Sequence, residues 1–190
     1  MAIARQHGLL LIEDAAYAFL AENPPLPLAT LAPELTVYVS GFSKNIATGL
    51  RVGFVVTPLD WVPLFERAIR ATTWNTPGVM TAMVCGWIED GTVARLETEK
   101  REDASTRQGL ARKVLAGLRC IGHPNSYFLW LPLPEEVRAD QVTVALLRAN
   151  VAVSTAESFV ACGPVPHAIR LALGSVDLPT LEVALKEVRR

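Results

Sequence analysis

The chain has 190 residues, 51% hydrophobic and 19% charged, and its 18 basic and 19 acidic side chains leave a formal net charge of -1. Disorder as the main state is excluded, because it needs low hydrophobicity and high net charge. A near-neutral chain also has no bulk field to draw in nucleic acid or an anionic membrane, and its length suits one ordinary domain or two very small ones.

Ala2 to His7 read as the end of a helix capped by Gly8. The apolar run Leu9 to Ile12 shows no alternation, the pattern of a strand covered on both faces, and it ends in Glu13 and Asp14. Acidic groups therefore stand at the carboxyl end of a strand, where open α/β sheets bind ligands. A proline-rich loop from Asn23 to Pro33 leads into a strand over Thr36 to Ser40, and a turn-rich segment from Gly41 to Gly49 into another over Val52 to Val56. Thr57-Pro58 and Thr76-Pro77 both read as helix starts, the second opening a helix over Val79 to Ile88.

A long helix is expected from Thr92 to Leu115, stopped near Gly117, with a charged middle that reads as a solvated face. Beyond His123-Pro124 the pattern is shorter. Ser126 to Leu131 reads as a strand and Ala139 to Arg148 as a helix that Asn150 ends in the left-handed region. Val151 to Ser154 and Ile169 to Leu173 read as strands, and Thr180 to Arg189 as a last helix. The expected class is α/β, with a division into residues 1–91, a linking helix over 92–117 and a small α+β unit over 118–190.

Cys85, Cys120 and Cys162 are odd in number and far apart, which fits buried thiols in a reducing cytosol better than a zinc knuckle or a disulfide framework. The start lacks the apolar core of a cleavable signal, and no apolar run is long enough to span a bilayer, so cytoplasm is the expected location. His123 and His167 sit near prolines without metal-ligand company and read as structural or exposed.

Lys44 is one of four lysines and lies in an apolar, glycine-bordered turn. It reads either as a surface lysine or as an amine desolvated enough to act as a nucleophile. Asp14 and Tyr17, three residues apart, are either a strand-end cap with a packed tyrosine or a carboxylate and a phenol facing one pocket. Arg51, just before a strand, suits a phosphate or is a solvated end charge. Arg170, inside the apolar run Ile169 to Leu173, needs a carboxylate partner, from the protein or from a substrate.

The order of these residues resembles the fold-type I pyridoxal-phosphate enzymes of the aspartate aminotransferase superfamily. EDAAY (13–17) is similar to that family's aspartate–tyrosine signature and SGFSKNIATGLRVGF (40–54) to its cofactor-lysine block. ATTWNTP, SYFLWLPLP, VAVSTAESF and HAIRLALG resemble the aminotransferase-like domain of GntR/MocR-type regulators, so the similarity covers nearly the whole chain.

The resemblance implies pyridoxal 5'-phosphate as cofactor and Lys44 as the residue that joins it as a Schiff base and moves the substrate's α-proton. It implies Asp14 at the pyridinium nitrogen, Tyr17 at the phenolic oxygen, Ser43 and Arg51 at the phosphate, and Arg170 at a substrate α-carboxylate. It implies amino-acid to 2-oxo-acid transamination, or effector sensing in a GntR/MocR-type regulator; an inactive fragment is the third alternative. Gly41 stands where the family has serine or threonine three residues before the lysine, and Thr48 where it commonly has proline. Against the family's pattern the chain corresponds to the C-terminal half of the large domain followed by the small domain. A homodimer or a separate N-terminal half is then expected as partner, with no membrane binding and no direct nucleic-acid binding by this chain. Three strands of a larger sheet are expected to leave an open edge and an uncovered face.

Overall fold

A computed structural model describes all residues, Met1–Arg190, and the chain divides into two compact units, Met1–Lys100 and Arg101–Arg190. The first contains α1 (Ala2–His7), β1 (Leu11–Asp14), α2 (Leu28–Leu31), β2 (Thr36–Gly41), β3 (Gly53–Val56), α3 (Val62–Thr72) and α4 (Gly78–Glu89). A continuous helix, α5 (Thr92–Val114), runs from the first unit into the second. The second unit adds β4 (Phe128–Pro132), α6 (Ala139–Arg148), β5 (Ser154–Thr155), β6 (Ala168–Ala172) and α7 (Leu178–Arg189). The fold is α/β, as expected.

In the first unit β1 and β2 are parallel and β3 joins β2 antiparallel, in the order β1-β2-β3. Gly8 ends α1 at φ 61, and its neighbour Leu9 donates to the Ala4 carbonyl, so the chain enters the strand two residues later than its apolar run suggests. The run is not covered on both faces. Leu9 and Leu10 are exposed, and Ile12, although in register opposite Val37, is 77% exposed. β1 and β3 have no strand on their outer edges, and Val39 and Val55 join Ile12 as exposed apolar residues of one sheet face. The buried cluster here is small: Leu50, Val52 and Val84, with Phe42, Ile46, Met80 and Trp87 packed on it.

Thr57-Pro58 does not open a helix. Pro58 is extended (ψ 140), a short 3-10 turn over Leu59–Trp61 follows, and α3 starts at Val62. The second proline signal marks a helix start but not as expected: α4 begins at Gly78, Pro77 stands at the N-cap position in an extended conformation (ψ 126), and no side chain caps the helix.

The β2–β3 pairing ends in a close backbone approach. Gly41 faces Gly53 in register, and a Cβ on Gly41 would lie 2.8 Å from the Val52 carbonyl oxygen and 3.0 Å from the Gly53 Cα.

The second unit has a fuller core. Its sheet, in the antiparallel order β4-β6-β5, packs Leu129, Leu131, Ile169, Leu171 and Leu173 against Leu146 of α6, Leu181 and Leu185 of α7, and Val114 and Leu115. α6 matches its expected bounds and Asn150 takes φ 62 beyond it. Asp177 caps α7 by accepting from the Thr180 amide at 2.8 Å, and its hydrogen bonds from Thr180 hold its carboxyl below the usual range. The expected strand over Val151 to Ser154 shrinks to Ser154–Thr155, because only those residues pair with β6.

α5 contributes polar side chains to this unit as well as apolar ones. Gln108, 1% exposed, donates Nε2 to the carbonyls of Ser126 and Phe128 at 2.8 and 2.9 Å. Arg107 donates to the carbonyls of Leu173 and Val176 and pairs with Asp103, which also accepts from the Tyr127 hydroxyl at 2.9 Å. Burial, helped by that bond, holds the Tyr127 phenol above its usual range, so it stays protonated and donating.

Two stability outcomes follow. Gln108→Leu strips the half-buried Ser126 and Phe128 carbonyls of their donor and is expected to cost about 1–2 kcal/mol in urea unfolding. Gly41→Ala forces the β2–β3 backbones apart and is expected to cost about 1–3 kcal/mol by the same measurement, whereas Gly49→Ala, where a Cβ meets nothing, leaves the midpoint nearly unchanged.

Candidate functional site

Four residues singled out from the sequence line one cavity of about 360 Å³: Asp14, Ser43, Lys44 and Arg51. The volume is at the lower end for small-molecule sites. Asp14 is the last residue of β1, and Val39, Ser40 and Gly41 bring the end of β2 into the wall, so the cavity lies at the carboxyl ends of the two parallel strands.

Each side chain has a local reason for its place. Asp14 turns the chain out of β1 by accepting the Ala16 amide at 3.0 Å through Oδ1, and the following bond from Ala18 to the Ala15 carbonyl brings Tyr17 round. The Tyr17 ring centroid lies 5.8 Å from Lys44 Nζ. After β2 the Phe42 carbonyl accepts from both Ile46 and Ala47, closing the tight turn that holds Ser43 and Lys44. Arg51 ends the 3-10 turn Thr48–Leu50 in the left-handed region at φ 53, which an arginine rarely adopts. Asp14, Lys44 and Arg51 are all exposed, and none of them belongs to an ion pair of the chain.

Gly41 leaves the phosphate side without the hydroxyl that the resemblance leads one to expect. Its Cβ position is filled by the Val52 carbonyl, so the backbone crossing itself excludes a serine there. Ser40 directs its Oγ towards the Ala15 carbonyl at 3.4 Å.

The sequence reading passed over Asn45, Glu97 and Lys100. Asn45 is 6% exposed and donates Nδ2 to Glu97 at 2.7 Å, while Lys100 Nζ donates to the Lys44 carbonyl at 3.0 Å. Nothing in the sequence beside Lys44 marks Asn45 as buried, and the α5 residues that meet this turn lie more than fifty positions away. A larger cavity of about 490 Å³, against Glu13, Tyr38, Phe42 and Phe54, contains neither Lys44 nor Asp14.

In the second unit Arg170 occupies the central strand, opposite Trp130 and Ser154. Its guanidinium carbon lies 4.8 Å from the Phe128 ring centroid and 4.5 Å from that of Phe159, and Trp130 meets Phe159 edge-on. No protein carboxylate pairs with it, and its Nε is buried without a hydrogen-bond partner. The structural ion pair that would explain a charge in this strand is therefore not formed. His123 serves its own turn, accepting from the Asn125 amide, and no group of three His, Cys, Asp or Glu is arranged to hold a metal. The three cysteines are unpaired but are not the buried thiols expected, since Cys85 and Cys162 are exposed and Cys120 is half-buried. No helix is long and apolar enough to cross a membrane.

Comparison with known proteins gives this geometry its context. The family model for aminotransferase class I and II matches residues 1–188. The uncharacterized HTH-type transcriptional regulator YdeF of Bacillus subtilis is 28% identical over 190 residues, 99% of this chain and 41% of that protein. The 2-aminoadipate transaminase of Thermus thermophilus is 26% identical over 195 residues, 97% of this chain and 49% of its own. Among solved structures, the α-aminoadipate aminotransferase LysN of Thermus thermophilus superposes with a TM-score of 0.87 at 24% identity, covering 100% of this chain and 51% of LysN. The Pyrococcus horikoshii kynurenine aminotransferase reaches a TM-score of 0.90 at 21% identity, over 99% of this chain and 48% of that enzyme. The chain thus spans about half the length of these relatives. A match over nearly every residue, on a fold of pyridoxal-phosphate transferase type, makes this chain a member of the class I and II aminotransferase family.

Proposed function

We propose that this chain supplies the lysine-bearing half of a pyridoxal 5'-phosphate site for transamination between an amino acid and a 2-oxo acid. The observation that carries this reading is the convergence of Asp14, Ser43, Lys44 and Arg51 on one cavity at the carboxyl ends of β1 and β2. The donor set fits the group: a guanidinium and a hydroxyl for a phosphate, an amine for an aldehyde, a carboxylate for a protonated ring nitrogen. When bound, the cofactor supplies an electron sink that makes an amino acid's Cα–H bond acidic.

The chain's own residues do the rest. Lys44 Nζ holds the cofactor at rest and, once released, takes the proton at the substrate Cα and delivers it again. Asp14, with Oδ1 engaged by the Ala16 amide, offers Oδ2 to the ring N–H. Tyr17 donates its hydroxyl to the ring oxygen, and Ser43 and Arg51 bind the phosphate. Arg170, stacked between Phe128 and Phe159 and without a protein carboxylate, receives the substrate's α-carboxylate. Residues 1–91 then form part of the cofactor domain, 92–117 the linking helix and 118–190 the small domain. Either a homodimer or a separate N-terminal half supplies what the cavity lacks, and the unpaired cysteines suit the cytoplasm.

A second reading, an effector-sensing domain of a GntR/MocR-type regulator, is favoured by the similarity to YdeF. It uses the same residues and differs in turnover.

Incubation with pyridoxal phosphate, borohydride reduction and peptide mass analysis should place the adduct on Lys44 in preference to Lys113 and Lys186, with the selectivity lost in Lys44→Ala. An even spread over the lysines overturns the reading. Amino acid added before the reduction should lower the yield of the Lys44 adduct, and Arg170→Leu should raise the concentration required about tenfold or more without altering the yield in its absence. Release of a 2-oxo acid separates the enzyme from the sensor.

A further inference from the structure

We infer that Glu97 and Lys100 are positioning residues for Lys44: two side chains of α5 that grip the lysine's turn from outside and fix where its amine is carried. The inference rests on the reading of Lys44 as the cofactor lysine, and it concerns how that lysine is held.

A lysine side chain has four rotatable bonds, so its amine is aimed only as well as its backbone is fixed. Around Lys44 little apolar packing is available for this. The lysine is exposed, and the nearby buried cluster contains just Leu50, Val52 and Val84 with a few half-buried neighbours. The turn's internal bonds, Ile46 and Ala47 to the Phe42 carbonyl, fix its start. The Lys44 carbonyl and the Asn45 side chain lie outside that ring.

Both are held by α5. Lys100 Nζ donates to the Lys44 carbonyl at 3.0 Å, and Glu97 accepts from Asn45 Nδ2 at 2.7 Å. Glu97 and Lys100 are three residues apart on the helix and so share a face, which lets one rigid element hold two successive residues. Both contacts involve an ionised group, the stronger kind of hydrogen bond. The carboxylate also fixes the Asn45 amide: the NH₂ must face Glu97, which leaves Oδ1 buried without a partner. Asn45 thus gives up a hydrogen bond on one side to keep the bond to Glu97 on the other.

The alternative is that Asn45 and Glu97 merely stabilise the first unit, and substitution of Glu97 separates the two. Glu97→Ala removes the acceptor; Glu97→Gln keeps a neutral one. Amide hydrogen exchange of the full chain, read at Ile46 and Ala47 against Leu11 and Val37 of the β1–β2 pair, reports the turn without any cofactor. Glu97→Ala and Lys100→Met are expected to speed exchange at Ile46 and Ala47 about tenfold and leave the sheet amides unchanged, with Glu97→Gln restoring most of the protection. The second measurement is the share of a borohydride-trapped pyridoxal phosphate adduct on Lys44 relative to Lys113 and Lys186, expected to fall about fivefold or more in Glu97→Ala and to recover in Glu97→Gln.

Unchanged exchange at Ile46 and Ala47 in both Glu97→Ala and Lys100→Met overturns the inference, as does an equal rise in the sheet amides. If exchange responds as stated but the wild-type chain shows no preference for Lys44, the grip stands and the cofactor reading fails. If exchange responds and Lys44 selectivity is the same in Glu97→Ala as in the wild type, the positioning role is refuted.

Discussion

Four polar side chains of α5 donate to backbone carbonyls of other segments. In the first unit Lys100 serves the Lys44 carbonyl; in the second Arg107 serves Leu173 and Val176, Gln108 serves Ser126 and Phe128, and Arg112 serves Gly122. These carbonyls lie in turns and at strand ends, and those of Leu173, Ser126 and Phe128 are half-buried, where an unpaired oxygen costs free energy. Ala104, Gln108 and Ala111 follow the helical repeat on one buried stripe, and the small alanines let the partner segments approach closely enough for these bonds. The geometry of both chemistry-bearing regions therefore depends on side-chain hydrogen bonds from one helix as much as on apolar packing.

That dependence differs between the units because their cores differ. The second unit buries a continuous aliphatic cluster drawn from β4, β6, α5, α6 and α7, and Arg170 extends from a strand whose other residues are fixed by it. The first unit leaves Ile12, Val39 and Val55 on an open sheet face and both outer strand edges unpaired. The apolar run of β1 has the composition of a doubly covered strand, yet in this chain one of its faces stays open. The site that carries Lys44 thus sits on the less consolidated unit, where local turn bonds and the α5 contacts matter most.

Local features of the sequence were readable where their cause is local. The left-handed caps Gly8 and Asn150, the bounds of α6 and the placing of Asp14 at the end of a strand come from propensity and from the period of apolar residues, which neighbours within a few positions decide. Gathering Asp14, Ser43, Lys44 and Arg51 on one cavity needed the resemblance as well, since either of the first two blocks alone is a short pattern. The charged middle of α5 reads in the sequence as a solvated face, because charges every few residues look alike whether they meet water or a carbonyl fifty residues away. Neither threonine caps a helix, because Pro58 and Pro77 are both extended and themselves stand at the cap position, and the Thr57 hydroxyl is buried without a partner.

Gly41 and Arg51 are best understood together. The Phe42 amide donates to the Val52 carbonyl at 2.9 Å, and that carbonyl occupies the space a side chain on residue 41 would need. To bring Val52 there, the chain must reverse sharply after the 3-10 turn, which it does by placing Arg51 at φ 53. The cost of a non-glycine residue in that region, of order 1 kcal/mol, is borne where the cavity wall is made. The same reversal that removes a hydroxyl from position 41 therefore brings a guanidinium to the cavity's edge. Anion recognition on this side of the site rests, in the proposed function, on a charged fork rather than on a row of hydroxyls, and the glycine is a consequence of the strand crossing that positions the arginine.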